Sequence, residues 1–404
     1  MQTELRENRQ AHGHADDDFA QANFFGAEKF RKEKQQVEGT QRHAKIGDGS
    51  SLKALSHDDA HAANLIEKSP ACALGLYFAD LQCAFWSINF SFVWPHEALL
   101  MQTAVLLLAF NRPDTTRRVL ERIRQARPPR LYVACDAARS GRPLETAAVA
   151  EVRALVSELV DWPCDLHTLY REQNLGCKMA VSGAISWFFA QEEMGIILED
   201  DCLPDLSFFP YCETLLKRFK DDERIFMISG NNFQRGAATT PHSYYYSWLT
   251  HIWGWASWRR SWEKVDLELK NWPAFMAAGG VQQIYPKKRY AKVWERTFAR
   301  YLAGKYNTWD YPLLFASWWH SQLTVLPEVN LVSNIGFGAN NTHTANDVYT
   351  KLSALPTAGL AEIAHNPECH PQLAADYNTF AYYMFPSKGR KVWRMLVSKF
   401  KKPT

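Results

Sequence analysis

Apolar runs alternate with amphipathic segments over residues 104–201, and this alternation constrains the fold more than any other feature of the chain. The apolar runs have the length and β-branched content of strands, and the segments between them show helical spacing. The predicted strands are 104–110, 130–135, 165–170 and 195–198, and the predicted helices are 115–126, 145–160 and 178–192. This order predicts an α/β fold with a mostly parallel, Rossmann-like sheet flanked by helices.

Three consecutive carboxylates, Glu199, Asp200 and Asp201, follow the predicted strand 195–198. In an open parallel sheet, the carboxyl ends of the strands form the edge that binds ligands. Like charges at the end of an apolar strand repel one another unless a cation lies among them. We therefore expect a site for a hard divalent cation, Mn²⁺ or Mg²⁺, since these ions prefer oxygen ligands and bridge phosphates. The alternative is a solvated acidic turn ahead of Pro204.

The composition limits the classes of partner and compartment. A net charge of +3 is close to neutral and gives no reason to expect a nucleic-acid partner. The eight cysteines form no CxxC pair and no zinc-like spacing with histidine, which is typical of reduced cysteines in a cytoplasmic protein. Hydrophobic residues make up 47% of the chain, which is enough for a large packed core.

The segment before Met101 differs from the rest of the chain. Residues 1–70 are polar and lack both helical and strand periodicity, and they do not open with a signal peptide. The apolar stretch 71–94 is long enough to span a membrane, but Asp80 within it costs about 2.5–3.5 kcal/mol on insertion. This cost disfavours a transmembrane helix. We expect residues 1–100 to be an N-terminal extension, largely disordered or dispensable, with Met101 as a candidate for the true start.

The end of the chain is basic. Residues 388–402 contain lysines and arginines but no acidic residue, and their apolar residues fall at helical spacing. A helix of this kind binds anionic membrane surfaces. We expect a helical, basic tail over 351–404 and peripheral contact of residues 388–402 with the inner face of the membrane. An ordinary solvated helix is the alternative.

Motifs in a fixed order resemble one enzyme family. They are Ala-Phe-Asn-Arg-Pro at 109–113, Asp136, Leu-Glu-Asp-Asp at 198–201, Pro-Asp-x-x-Phe-Phe at 204–209, Gly254-Trp255, Trp309-Asp310 and Pro327-Glu328-Val329. In this order they resemble glycosyltransferases with the nucleotide-sugar-binding A-type fold, most closely N-acetylglucosaminyltransferase I and its bacterial relatives. The resemblance covers residues 103–345. It implies a metal-dependent, inverting transfer of a sugar from a nucleotide-sugar donor to a glycan or lipid-linked acceptor, in the synthesis of a surface polysaccharide.

The resemblance also implies roles for the acidic residues on the donor side. Asp201 would bind the metal, Asp200 would contact the ribose or the donor sugar, and Glu199 would support the site through hydrogen bonds. Asp136 after the second strand would contact the nucleobase. The alternative for Asp136 is a helix cap or turn residue.

Asp310, between Trp309 and Tyr311, is the residue that the resemblance makes the general base. Burial among aromatic side chains favours a raised pKa, which suits a base. The alternative is an aspartate that forms hydrogen bonds at a helix start. Asp266 and Glu295 are weaker candidates for the same role.

Three further residues are candidates for donor binding. Arg112 in the first loop can donate charge-assisted hydrogen bonds to a phosphate. Trp255 can offer a ring face to a pyranose, and His343 lies in a Gly/Asn-rich loop, 336–344, with the composition of a lid. The alternatives are an exposed turn arginine, a core tryptophan and an exposed loop histidine.

These roles divide the predicted globular part into a nucleotide-sugar-binding half, 101–235, and an acceptor-side and catalytic half, 236–350. Two other functions stay open at this point. One is a non-catalytic glycan- or nucleotide-binding protein on the same fold, and the other is a sugar-nucleotide pyrophosphorylase. The loop 111–113 lacks the glycine-rich, basic sequence that pyrophosphorylases carry at this position, which argues against the second.

Overall fold

A computed structural model describes residues 101–237, 239–336 and 355–383. The strands are β1 (Ala104–Ala109), β2 (Arg130–Cys135), β3 (Asp165–Tyr170), β4 (Met194–Glu199), β5 (Cys202–Pro204), β6 (Ile225–Ser229), β7 (Tyr244–Ser247), β8 (Trp255–Trp258), β9 (Leu323–Pro327) and β10 (Val332–Asn334). The helices are α1 (Pro113–Ala126), α2 (Pro143–Leu159), α3 (Gly176–Phe189), α4 (Phe208–Arg218), α5 (Arg259–Trp262), α6 (Trp272–Ala277), α7 (Gly280–Ile284), α8 (Lys288–Leu302), α9 (Asp310–Trp319) and α10 (Leu373–Tyr383). Within the described ranges, none of these helices has the length and apolar character needed to cross a bilayer.

Several predictions concern other parts of the chain. The N-terminal extension, the basic segment 388–402, residues 337–344 of the predicted lid and His343 lie outside the described residues. They stay predictions.

Eight strands form one mixed sheet in the order β3-β2-β1-β4-β8-β6-β9-β7. The first four of these are parallel neighbours, as are β6 and β9, whereas β8 and β7 run antiparallel to their neighbours. The predicted α/β class and the parallel pairing of the first four strands are confirmed. The predicted boundary at 235 does not divide the sheet, because β8, which follows that boundary, lies between β4 and β6.

Both faces of the sheet are buried by helices. Successive residues of a strand point to opposite faces, and in β1 Val105 and Leu107 pack with α1, α2 and α4, whereas Leu106 and Leu108 pack with α3 and α9. The helices therefore cover the two faces, and loops form the edge at the carboxyl ends of the parallel strands.

A second core consists of aromatic side chains from α6, α8, α9 and α10. The ring centroids of Trp272 and Phe298 are 4.3 Å apart, and Trp294 meets Trp318 edge to face at 5.3 Å. Aromatic pairs in these geometries stabilise a core beyond the area that they bury. This packing fixes the position of α9, and the first residue of α9 is Asp310.

Asp376 is a buried carboxylate that joins α10 to the sheet. It accepts hydrogen bonds from the hydroxyls of Ser247 and Tyr285 and from the backbone amide of Trp248. Burial raises the pKa of Asp376 to about 7, although these three hydrogen bonds oppose the shift. The carboxyl is therefore protonated over much of the acidic range in the native state.

We expect this group to make the protein less stable as the pH rises from about 4 to about 7. The native pKa of about 7 lies above the ordinary value of 3.8, so the stabilisation is complete below the lower value and lost as the pH passes the higher one. Asp376→Asn stays neutral, and its one side-chain oxygen can still accept the hydrogen bonds from Trp248 and Tyr285, while its NH2 group can donate to the Ser247 hydroxyl. Relative to this variant, the wild type should lose up to about 4 kcal/mol of unfolding free energy over that range. Urea denaturation followed by circular dichroism measures the difference, and parallel pH profiles of the two proteins would contradict it.

Candidate active site

The carboxyl ends of β1, β2 and β4 meet at one edge of the sheet. Leu108 of β1 is in register with Glu199 of β4, and Ala109 is in register with Cys135 of β2. The loop before β8 reaches the same edge, since Trp255 is in register with Ile197. The prediction that the ends of these strands share one edge is confirmed.

Arg112 lies between two carboxylates of the acidic block. Its Nη2 is 2.5 Å from Oδ1 of Asp200, and its Nη1 is 2.8 Å from Oδ2 of Asp201. The Asp200 side chain is only 2% exposed, whereas that of Arg112 is 34% exposed. Asp200 also accepts a hydrogen bond of 3.0 Å from the backbone amide of Phe110. The guanidinium therefore forms a two-pronged ion pair at the mouth of the site.

The acidic block carries more negative charge than Arg112 neutralises. Burial raises the pKa of Glu199 to about 8, and the charges of Asp201 and Asp200 add to this effect. Burial also raises the pKa of Asp200 to about 6 against the opposing charge of Arg112, so Asp200 is ionised at neutral pH. With Glu199 largely protonated at neutral pH, Asp200 and Asp201 share the one guanidinium of Arg112, so a second cation could still be accommodated.

Asp310 lies within electrostatic range of the acidic block although the two are far apart along the chain. Its charge contributes to the raised pKa of Glu199. Burial raises the pKa of Asp310 itself, while the hydroxyl of Thr308 and nearby backbone amides oppose the shift through hydrogen bonds. The loop that leads to it contacts α3, since a Cβ built on Gly176 would lie 3.2 Å from Nδ2 of Asn307.

Trp309 holds the start of α9 against the sheet. Its ring is stacked on that of Trp255, with centroids 5.8 Å apart and planes 24° apart. Trp255 is 1% exposed. The predicted stacking of a pyranose on Trp255 does not match this placement, because the indole ring is enclosed in the core. Trp255 is a core tryptophan, which was the alternative that the sequence left open.

Asp136 lies at the predicted edge but uses its carboxylate to cap α3. It accepts hydrogen bonds of 3.1 Å from the backbone amides of Leu175 and Gly176 and one of 3.0 Å from Ala137. This is the cap role that the sequence left open. The contact of Asp136 with a nucleobase stays a prediction.

Gly336 lies directly against the ion pair. A Cβ at this position would lie 2.2 Å from Oδ2 of Asp201 and 2.6 Å from Nη1 of Arg112. The segment is held by a 2.8 Å hydrogen bond from the Ile335 amide to the Asp201 carbonyl and by the pairing of β10 with β5. Only glycine fits so close to these side chains.

Gly336→Ala should therefore displace the ion pair. We expect a loss of about 1–2 kcal/mol in unfolding free energy, since the new methyl group must push the Arg112 and Asp201 side chains aside. Chemical denaturation measures this loss. Gly359→Ala is the matched control, because its Cβ would meet only Oδ1 of Asp205, at an ordinary contact distance of 3.7 Å. Equal stability of the two variants would contradict the close approach of Gly336.

The residues present fit a divalent cation that takes few protein ligands. Within the described residues, no group of three or more His, Cys, Asp or Glu side chains converges on one point as a closed metal cage would require. Mg²⁺ and similar ions are commonly held by one or two carboxylates, with substrate phosphates and water as the other ligands. Asp201 and Asp200 supply such carboxylates, and the excess negative charge around Glu199 favours a cation.

Two features of the site were not predicted from the sequence. Arg112 was expected to contact a phosphate, but its pairing with Asp200 and Asp201 was not foreseen. Gly336 was placed in a lid, and its contact with that ion pair has no signal in a single sequence. Neither contact can be predicted from residue spacing, because each joins residues that are far apart in the sequence.

Comparisons with known proteins give little guidance on activity. No protein-family pattern matches the chain, and no characterised protein matches it in sequence. HddC from Yersinia pseudotuberculosis covers 43% of this chain and 87% of its own, with 12% identity and a TM-score of 0.27. An apo UDP-glucose pyrophosphorylase covers 56% of this chain and 90% of its own, with 9% identity and a TM-score of 0.31. A UDP-glucose pyrophosphorylase in complex with UDP-glucose covers 37% and 65%, with 11% identity and a TM-score of 0.21.

These similarities are too weak to carry an argument about activity or substrate. The α/β class of this chain rests on its own sheet. None of these three structures is an N-acetylglucosaminyltransferase by its description. The resemblance to that enzyme therefore rests on the sequence motifs alone.

Proposed function

We propose that the protein is a metal-dependent, inverting glycosyltransferase that moves a sugar from a nucleotide-sugar donor to a hydroxyl of a glycan or lipid-linked acceptor. The observation that carries the proposal is the position of Asp310. It comes from the second half of the sequence, yet its charge acts on Glu199 at the end of β4. A site with a carboxylate block for the donor and a separate carboxylate for the acceptor has the two functions that such a transfer needs.

Asp310 is the proposed general base. Inverting transfer needs one carboxylate that removes the proton of the acceptor hydroxyl as this oxygen attacks the anomeric carbon. The raised pKa of Asp310 makes its carboxylate a stronger base. Its position at the first turn of α9, fixed by the stacking of Trp309 on Trp255, limits its movement.

The acidic block and Arg112 are the proposed binding residues for the donor. Asp201 is the proposed metal ligand, with Asp200 and Glu199 beside it, and Arg112 is in reach of a diphosphate at the same edge. When bound, Mn²⁺ or Mg²⁺ would neutralise the charge that develops on the diphosphate leaving group. We retain Asp136 and His343 as proposed contacts of the nucleotide and the diphosphate.

A screen of nucleotide sugars tests the proposal. Thermal shifts measured with and without Mn²⁺ should identify a donor, because a ligand that binds the native state raises the melting temperature. The donor should then support transfer of labelled sugar to an acceptor. A pyrophosphate-exchange assay with the same nucleotide sugars should give no exchange. Exchange without transfer would overturn the proposal in favour of a pyrophosphorylase, and binding without either reaction would favour a non-catalytic binding protein.

A further inference from the structure

Arg112 occupies the position in which a cation would meet both Asp200 and Asp201. Its two terminal nitrogens bond one oxygen of each carboxylate, at 2.5 and 2.8 Å. Gly336 lies against this pair, with no room for a Cβ. A divalent cation at the same two oxygens would lie beside the guanidinium, and two positive charges at that separation repel each other strongly in a partly buried site.

The backbone of Arg112 is anchored, whereas its side chain is not enclosed. The Arg112 carbonyl accepts hydrogen bonds from the amide of Thr116 at 3.0 Å and from its hydroxyl at 2.7 Å. Pro113 fixes the first turn of α1. The side chain, by contrast, is 34% exposed, so solvent reaches it although it is paired with both carboxylates.

Asp200 has a second hydrogen-bond donor besides Arg112. It also accepts a hydrogen bond of 3.0 Å from the Phe110 amide, and this bond does not involve Arg112. A buried carboxylate that loses its only cation is strongly destabilised, so Arg112 should leave only when another cation takes its place. A diphosphate beside the site offers the released guanidinium a new bidentate partner.

We propose that Arg112 is a positioning residue that exchanges partners: it pairs with Asp200 and Asp201 in the free protein and turns to the donor diphosphate when the metal ion binds. The proposal rests on the proposed function, since it assumes a metal and a nucleotide diphosphate at this edge. Arg112 thereby couples the two binding events. The free protein holds its own counter-ion, and binding of the metal makes a phosphate-binding group available.

Arg112→Gln should change the two affinities in opposite directions. Without the competing guanidinium, the Kd for Mn²⁺ alone should fall about tenfold, whereas the Kd for a nucleoside diphosphate measured in saturating Mn²⁺ should rise about tenfold. Isothermal titration calorimetry measures the nucleotide, and the paramagnetic resonance signal of free Mn²⁺ measures the metal. Arg117→Gln is the matched control, because it breaks an exposed pair between Arg117 of α1, the helix that follows Arg112, and Glu158. It should change neither constant.

Arg112→Lys separates displacement from a simple effect of charge. Lysine keeps the charge but lacks the planar guanidinium fork that presents one nitrogen to each carboxylate. If Mn²⁺ displaces the guanidinium, the affinity of Arg112→Lys for Mn²⁺ should lie between those of the wild type and Arg112→Gln. Arg112→Lys also provides the test if Arg112→Gln does not fold. A Mn²⁺ affinity equal to that of the wild type in Arg112→Lys would overturn the exchange.

The proposed function and the exchange fail in different ways. If Mn²⁺ strengthens nucleotide binding by the wild type but no Arg112 variant gains affinity for Mn²⁺, the exchange is wrong and the metal-dependent donor site stands. If the wild type binds no nucleotide with or without Mn²⁺, the proposed function fails, and the exchange fails with it.

Discussion

Asp310→Asn should stop sugar transfer while it spares donor binding. Loss of a general base lowers kcat by about 10²- to 10⁴-fold. The asparagine can still accept the hydrogen bond from the Thr308 hydroxyl that Asp310 accepts, so the start of α9 should keep its place. Transfer of labelled sugar measures kcat, and calorimetry with the nucleotide sugar measures binding. Because burial raises the pKa of Asp310, wild-type transfer should also fall as the pH drops through that pKa.

Asp266→Asn is the control for this result, since Asp266 is a rival base in the sequence. Asp266 accepts hydrogen bonds from the amides of Glu268 and Lys270, at 2.9 and 2.8 Å, as a turn residue does. It should keep transfer near the wild-type rate. Wild-type turnover by Asp310→Asn, or loss of transfer in Asp266→Asn alone, would refute the assignment of the base.

Asp201→Ala should abolish the dependence of donor binding on metal. The proposed ligand carboxylate is removed, and the metal-dependent part of the nucleotide affinity should fall about a hundredfold or more. Titration of a nucleoside diphosphate with and without Mn²⁺ measures this part directly. Asp200 and Glu199 remain in the variant, but they supply the site with one carboxylate fewer.

Asp205→Asn tests whether any nearby aspartate has the same effect. Asp205 accepts hydrogen bonds from the amide and hydroxyl of Ser207 ahead of α4, at 2.9 and 2.6 Å. Its loss should leave the effect of Mn²⁺ on nucleotide binding unchanged. If Asp201→Ala still bound nucleotide more tightly with Mn²⁺ than without it, Asp201 would not be the ligand.

The first half of the fold could be predicted because its signals are local. Strands β2 and β3 were predicted with their observed bounds, and β1 and β4 to within a residue at each end. Each is a short apolar run bounded by turn residues, and their parallel pairing follows from the helices between them. The edge with Asp136 and the acidic block follows from the same pattern.

The second half could not be predicted in the same way. Strands β7 and β8 are short and rich in Tyr and Trp. Aromatic residues also occur in helices that pack against a core, so such a short run does not distinguish a strand from a helix. The sequence gives no sign that β8 lies between β4 and β6, because strand order depends on contacts between distant segments. The pairing of Arg112 with Asp200 and Asp201 is hidden for the same reason.

The strand order also has a consequence for how the chain folds during its synthesis. Strands β3, β2, β1 and β4 can pair once residue 199 has emerged from the ribosome, but the other side of β4 stays unpaired until β8 has also emerged. Until Trp255 emerges from the ribosome, Ile196 and Ile197 present an open, apolar strand edge. Such an edge is a template for pairing with other chains. We expect nascent chains that stop between β6 and β8 to aggregate, and those that extend through β8 to remain dispersed.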